Sequence, residues 1–198
     1  MAISTLTELK TEVTNYTKRA DLSPYLDNIV LVGERWIFRK ARTRHMENAL
    51  SVAISGGVAA VPADFVALKN ARISGQTRAL GIRPAEWIYS EFPTRSGGAM
   101  PAYIGVEGSN FVFGPYPNDQ TIVGTYYKRL TSLLSGVTTF FTDNPDLYLY
   151  ATLAATESFL KNDPRIGTWI ALRDGILTDV NQEDQAGHFG DGLAATVA

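Results

Sequence analysis

The chain contains no cysteine. Disulfides, thiolate metal centres and a cysteine nucleophile are therefore excluded. Histidine is almost missing too, with only His45 and His188 present. A Ser-His-Asp arrangement would need one of these two as its base. His45 follows a basic run that disfavours its charged form. His188 lies in a glycine-rich stretch, a poor place for a preorganised base. The loops GxxxxGK[ST] and GxGxxG are missing, as are HExxH and GxSxG. No apolar run reaches the roughly 18 residues of a membrane span. The opening residues, MAISTLTELK, lack the apolar core of a signal peptide. With a formal net charge of −2 there is no global pull toward nucleic acid or anionic membrane. Any nucleic-acid contact must then be a local patch. No internal repeat or low-complexity segment occurs. These absences leave no cysteine-based or motif-based catalytic centre to expect, and no cofactor or metal. They point to a protein made and used in cytoplasm, or inside an assembly built there.

What is present suits one globular domain, or a domain with a large insertion: 198 residues, 45% of them hydrophobic. Thr5 to Glu8 has the pattern of a capping box. Leu6, Leu9, Val13 and Tyr16 then recur at helical spacing. Ser23 is placed to cap a second helix with Pro24 at its first position. Leu26, Ile29, Val30, Trp36, Ile37 and Ala41 form that helix's buried face. From about Ala49 glycine, proline, β-branched and aromatic residues replace the helical period. ALSVAIS, Gly56-Gly57 and VAAV predict a hairpin. FVALKNARIS predicts a strand, and Pro84 to Trp87 starts one short helix. AYIGV and NFVFG make a second hairpin around Glu107 to Asn110, and TIVGTYYKRL a further strand. Helical texture returns after Asp143. Asn144-Pro145 opens one helix and Asn162-Asp163-Pro164 the next, an αα-hairpin. Ile166, Trp169, Ile170, Ile176, Leu177 and Val180 mark one face of the last helix. The expected fold class is α+β. A helical bundle forms from both termini (1–48 and 144–186), with an antiparallel β-rich insertion (49–135) between helices 2 and 3. Residues 187–198 read as a flexible tail.

Three groups of residues could carry chemistry. The carboxylates Asp64, Glu86, Glu91, Glu107 and Asp119 lie in the β-rich part, where a pair could hydrolyse a glycosidic bond. Asp64 and Asp119 each sit in a Pro-containing turn, where Asp commonly bonds backbone N–H groups. The aromatics Trp87, Tyr89, Tyr103, Phe111, Phe113, Tyr116, Tyr126 and Tyr127 could stack on sugars or bases, or could be core. The stretch RWIFRKARTRH holds the one basic patch: Arg35, Arg39, Lys40, Arg42 and Arg44. Arg35, Arg39 and Arg42 recur at spacings of four and three, one helix face. That face is a solvated, dipole-matched helix end, a phosphate contact, or an ion-pair surface for an acidic partner. No Asn or Gln stands among the arginines to read base edges, so sequence-specific binding is not expected.

The helix after Pro145 is apolar nearly all round. Between Asp146 and Lys161 the only charge is Glu157. Leu147, Tyr150, Leu153, Ala154 and Leu160 can face the bundle. Tyr148, Leu149, Ala151, Ala155 and Phe159 are left on other sides. Such a helix is enclosed by its own chain or meets something outside it. Contact with further copies is one solution, and burial under the β-rich part is another.

Several stretches, in order along most of the chain, resemble the head–tail adaptor proteins of tailed bacteriophages. They are Val61-Pro62-Ala63-Asp64-Phe65, Met100-Pro101-Ala102-Tyr103-Ile104, Gly114-Pro115-Tyr116-Pro117 and Tyr126-Tyr127-Lys128-Arg129-Leu130. Asn144-Pro145-Asp146-Leu147-Tyr148-Leu149-Tyr150 and its continuation to Asn162-Asp163 complete the set. The resemblance implies a structural protein in the virion neck, assembled in the host cytoplasm. It implies a dodecameric ring of this chain bound to the portal protein, with a downstream tail or nozzle protein on the other side. It implies that genomic DNA passes through transiently without sequence readout. No membrane is involved. The basic face then becomes a channel wall or a contact for an acidic neighbour. Tyr148, Ala151, Ala155 and Phe159 become interface candidates. By position, Gly187, His188, Phe189, Gly190, Leu193 and Val197 in the tail become portal-binding candidates. The alternatives from other classes are a carbohydrate-binding module built on the aromatics and a nonspecific nucleic-acid binder.

Overall fold

The computed structural model describes residues 3–160 and 163–189. Two compact units result: the residues up to His45 together with those from Leu130 on, and Met46–Arg129. The architecture is α+β, with the β-rich region inserted between the second helix and the C-terminal helices.

In the helical unit, α1 (Leu6–Thr17) starts with the expected reciprocal cap. Thr5 Oγ1 accepts from the Glu8 N–H at 3.2 Å, and Glu8 Oε2 accepts from the Thr5 N–H at 3.0 Å. The second helix differs from expectation at both ends. Pro24 lies inside a 3-10 turn, Ala20–Tyr25, and α2 (Leu26–Lys40) follows with no side-chain cap, so Ser23 does not cap it. Ala41 is extended and ends α2. Arg42 and Arg44 therefore lie beyond the helix, and Arg42 does not share its face with Arg35 and Arg39.

The apolar helix is α5 (Pro145–Ala155), entered through Asn144 and Pro145. It packs against α1, α2 and α6 (Arg165–Phe189), and against a short helix that the sequence reading passed over, α4 (Thr139–Asp143). Thr138 caps α4 by accepting from the Phe141 N–H, and Phe140 and Phe141 are buried. Both rings meet Tyr148 edge-on, with centroids at 6.1 and 5.0 Å. Opposite, Gly33 of α2 lies against the Ala151 backbone. Tyr148 and Ala151 are only 1% and 2% exposed within the chain. The apolar ring of α5 is thus largely enclosed by its own unit. These two residues are core rather than free interface. At the start of α6, Asp163 Oδ1 accepts the Arg165 N–H at 2.9 Å. The helix continues to Phe189, three residues into the stretch read as a tail.

The other unit holds two sheets. One has the order β1-β7-β3, all antiparallel: β1 (Glu47–Ala53), β3 (Phe65–Ile73) and β7 (Thr121–Lys128). The second has the order β2-β6-β5-β4: β2 (Val58–Ala60), β4 (Gly81–Ile82), β5 (Tyr103–Glu107) and β6 (Asn110–Gly114). The β5–β6 hairpin is as expected. The first expected hairpin is split. Its Gly56-Gly57 turn is closed by Ser55 and Val58, but β1 then joins β7 while β2 joins β6. Leu50, Ala59, Ile104, Phe111, Phe113, Ile122 and Tyr126 fill the core of this unit. The short helix α3 (Ala85–Glu91) covers Val112 on the reverse of β6 with Ile88.

Gly33 marks the closest helix approach. A Cβ there would stand 2.9 Å from the Ala151 carbonyl carbon and 3.0 Å from the Thr152 nitrogen. Gly167, also helical, has nothing within 4 Å of that position. Gly33→Ala is expected to destabilise by about 1–3 kcal/mol through overpacking. Gly167→Ala is expected to stabilise by up to about 1 kcal/mol through helix propensity. Urea melts of the two variants should move in opposite directions.

Candidate functional site

The basic residues are brought to one region. Arg35, Arg39, Lys40, Arg42 and Arg44 are all exposed. Past the end of α2 the chain turns extended and lies along α6. The Arg42 N–H donates to Asn181 Oδ1 at 3.0 Å, and the Arg44 N–H to Asp184 Oδ1 at 2.8 Å. Side chains of α6 thus satisfy backbone donors that no helix supplies with partners. The Arg44 guanidinium is 4.0 Å from Asp184, so this one cation has an acidic neighbour within its own chain. Trp36 joins α2 to α6. The Arg173 guanidinium lies 3.7 Å from its ring centroid and Lys40 Nζ 5.0 Å. Flat stacking on indole is a cation–π contact worth about 0.5–2 kcal/mol.

Beside this segment is a cleft of 180 Å³ lined by Thr43, Arg44, His45, Asp143, Glu183 and Asp184 among others. His45 Nε2 is 3.5 Å from Asp143 Oδ2, and its ring sits edge-on to Phe140. Thr43 Oγ1 is buried without a hydrogen-bond partner among the described residues. A nucleophile, base and orienting carboxylate must be linked by hydrogen bonds, and Thr43 and His45 are not. Among the described residues no group of His, Asp and Glu is arranged to hold a metal.

The aromatics do not assemble as one ligand platform, and several of them are core. Phe111 and Phe113 are fully buried, and Tyr126 is 4% exposed. The Tyr126 hydroxyl donates to Asp64 Oδ1 at 2.8 Å and accepts from Asn48 Nδ2 at 3.0 Å. Asp64 therefore bonds a phenol and holds a strand junction together. Trp87, Tyr103 and Phe92 form a partly exposed cluster over α3, with Arg83 on Trp87. Glu107 accepts from the Tyr89 hydroxyl, and Asp119 from the Gly56 N–H. None of these carboxylates faces a second one as a pair in the hydrogen-bond network.

Of the other residues expected at an interface, Ala155 ends α5 and is half-buried, and Phe159, which follows a 3-10 turn rather than continuing the helix as expected, is 38% exposed. Phe159 packs on Tyr25, with centroids 5.4 Å apart. Gly187, His188 and Phe189 fall in the last turn of α6. Gly190, Leu193 and Val197 lie outside the described residues.

Sequence reasoning missed Glu34. It is 2% exposed, on the inner face of α2. Its carboxylate accepts from Ser132 Oγ and from the Leu133 N–H, both at 2.6 Å. Burial pushes its pKa above the ordinary carboxylate range, and the two hydrogen bonds offset this only in part. Burial, and then the nearby Glu34 charge, likewise raise the Tyr148 phenol. The signal was present: Glu34 falls among Val30, Gly33 and Ile37 at helical spacing.

A family model described as SU10 adaptor protein matches residues 4–194, nearly the whole chain. No curated protein matches it significantly.

Because the folded state holds its Glu34 proton to higher pH, stability falls as pH rises from about 4.3 through the raised pKa, then levels off. Glu34→Gln keeps the bond from the Leu133 N–H on its amide oxygen, reverses the one with Ser132, whose hydroxyl oxygen can accept from the amide NH2, and removes the titration. Its thermal midpoint should gain on the wild type across that window. Glu34→Ala leaves the Leu133 N–H unpaired and should cost about 1–3 kcal/mol at every pH.

Proposed function

We infer the role from one premise: the chain belongs to the SU10 adaptor protein family. Membership suggests a phage adaptor protein, a virion component that interacts with other phage structural proteins. An adaptor of this kind is a structural protein. Among the described residues no helix is long and apolar enough to cross a membrane.

Beyond that, the reading is a head-to-tail adaptor of the neck. Copies assemble as a dodecameric ring beneath the portal protein, and the ring offers its other face to a downstream tail or nozzle protein. Genomic DNA crosses the channel without sequence readout. One observation carries this reading: the family match spans both the helical ends and the insertion, so the subunit is built as one adaptor-type whole. The exposed cations from Arg35 to Arg44 support it, since they offer charge to phosphate or to an acidic neighbour. A carbohydrate-binding role is disfavoured, because Phe111, Phe113 and Tyr126 are spent on the core. Residues from Gly187 on are assigned to the portal by their position at the end of the longest helix.

The test is the native mass of the full chain with and without its portal, and images of any rings. Assembly on the portal supports the reading, and a monomer that never joins a portal overturns it. Removing residues 187–198 should abolish portal attachment while leaving the melting temperature of the subunit nearly unchanged. Ala155→Arg, at a half-buried site, should leave a folded subunit and reduce assembly by at least about tenfold, a penalty near 1.4 kcal/mol.

A further inference from the structure

The outer face of α2 carries a seam. Tyr25, Asn28, Val32, Arg35 and Arg39 recur at alternating spacings of three and four, the pattern with which one helix seats against another. None of them belongs to the buried face, which is Leu26, Ile29, Val30, Gly33, Glu34 and Ile37. Val32 is 54% exposed, an apolar residue in the middle of the seam. α6 has a matching strip, Leu172, Gly175 and Asp179, with the same spacing of three and then four. Leu172 is 42% exposed, and nothing stands within 4 Å of a Cβ at Gly175. This strip is not the side of α6 that meets α2, which carries Arg173, Asn181 and Asp184. Among the described residues Arg35, Arg39 and Asp179 have no ion-pair partner.

We propose that the α2 seam of one copy docks on the α6 strip of a second copy of this chain: Val32 on Leu172, Arg35 across Gly175, and Arg39 with Asp179. The inference rests on the ring reading and gives it an interface. Three observations on the two faces fit together. Apolar meets apolar at the exposed centre. A long side chain meets a glycine. Cations meet an anion, on strips that are otherwise unpaired.

The heights also agree. α2 and α6 run in the same direction, since Trp36 meets Arg173 and Lys40 meets Asn181, pairs 137 and 141 residues apart in sequence. Val32 and Leu172 are 140 residues apart, as are Arg39 and Asp179. Judged from Trp36 and Arg173, the proposed partners differ in height by three residues, about 4.5 Å. An arginine side chain or a small tilt absorbs that much. The two faces are different surfaces, so the contact is head-to-tail. With little rise per copy, head-to-tail contacts close into a ring rather than climb into a filament. Phe159, packed on Tyr25, lies at the N-terminal end of the seam and widens it. Lys40, Arg42 and Arg44 lie beyond the seam and stay exposed.

The chain has no cysteine, so a cross-link can be placed cleanly. Val32→Cys/Leu172→Cys, oxidised at high protein concentration and again with portal present, should give a covalent ladder of copies. An equimolar mixture of the two single variants should stop at dimers. Arg39→Asp should lower assembly at least about tenfold by turning an attraction into repulsion. Asp179→Arg should do the same, and the double variant should recover. All four positions are exposed, and melting curves check that each variant is folded. Assembly that proceeds without the cross-link and is indifferent to both charge changes overturns this seam and leaves the ring reading standing. Loss of DNA retention by Arg39→Asp with assembly intact also overturns it. No assembly of any kind, with or without portal, overturns the seam and the ring together.

Discussion

The helical unit depends on enclosing α5. That helix has no polar face to give to water, so it must be surrounded. α1, α2 and α6 supply three sides, and the Phe140–Phe141 turn closes a fourth. The enclosure requires α2 to come close enough that only glycine fits at position 33. Once α2 is fixed at that distance, its rotation is fixed as well. Its inner face then includes Glu34, and its outer face includes Val32, Arg35 and Arg39. A carboxylate forced inward costs free energy unless bonded. Ser132 and the Leu133 N–H bond it, and so hold the stretch after Leu130 against α2. The position of the cations and the anchoring of that stretch both follow from one packing demand.

A second demand shapes the β-rich unit. It is small, and it buries its aromatics to gain a core. Phe111 and Phe113 point one way from β6 while Val112 points the other way to Ile88. Both faces of that strand are therefore occupied. Tyr126 is drawn in with them and its hydroxyl needs partners, which Asp64 and Asn48 provide. An acidic residue in a proline turn, open to a catalytic reading by type alone, is consumed by this need. Trp87 and its neighbours remain as surface.

Much of this was legible from residue order. The Thr5 cap, the Pro145 helix start, the β5–β6 hairpin and the shared face of Phe111 and Phe113 follow from local rules, and local rules held there. The failures were long-range. Gly56-Gly57 specifies a tight turn but not which strands its arms will join, and the arms went to different sheets. Arg42 kept helical spacing from Arg39, but Asn181 and Asp184 accept from the backbone N–H groups of Arg42 and Arg44 in place of another turn of helix. The α4 turn is only five residues long, too short for a period to show. Tyr148 looked surplus to a three-helix enclosure because α4 had gone unseen, and Ala151 because the close approach that Gly33 allows α2 had.

The charge distribution bounds how strongly the chain can attract any polyanion. Net charge is only −2, so attraction from a distance is small. The cations are concentrated at one end of α2, and solvent ions screen exposed charges beyond about 8 Å. Their effect is therefore confined to contact. The nearby Asn181 amide is engaged with the backbone of Lys40 and Arg42 rather than free to hold a base edge, and the acids Glu183 and Asp184 lie close by. A surface of that kind neutralises phosphate as it comes near and has little grip on any one position. Retention needs many fixed contacts or base readout, and neither is built here. Attraction of this kind is weak and independent of position along a polyanion.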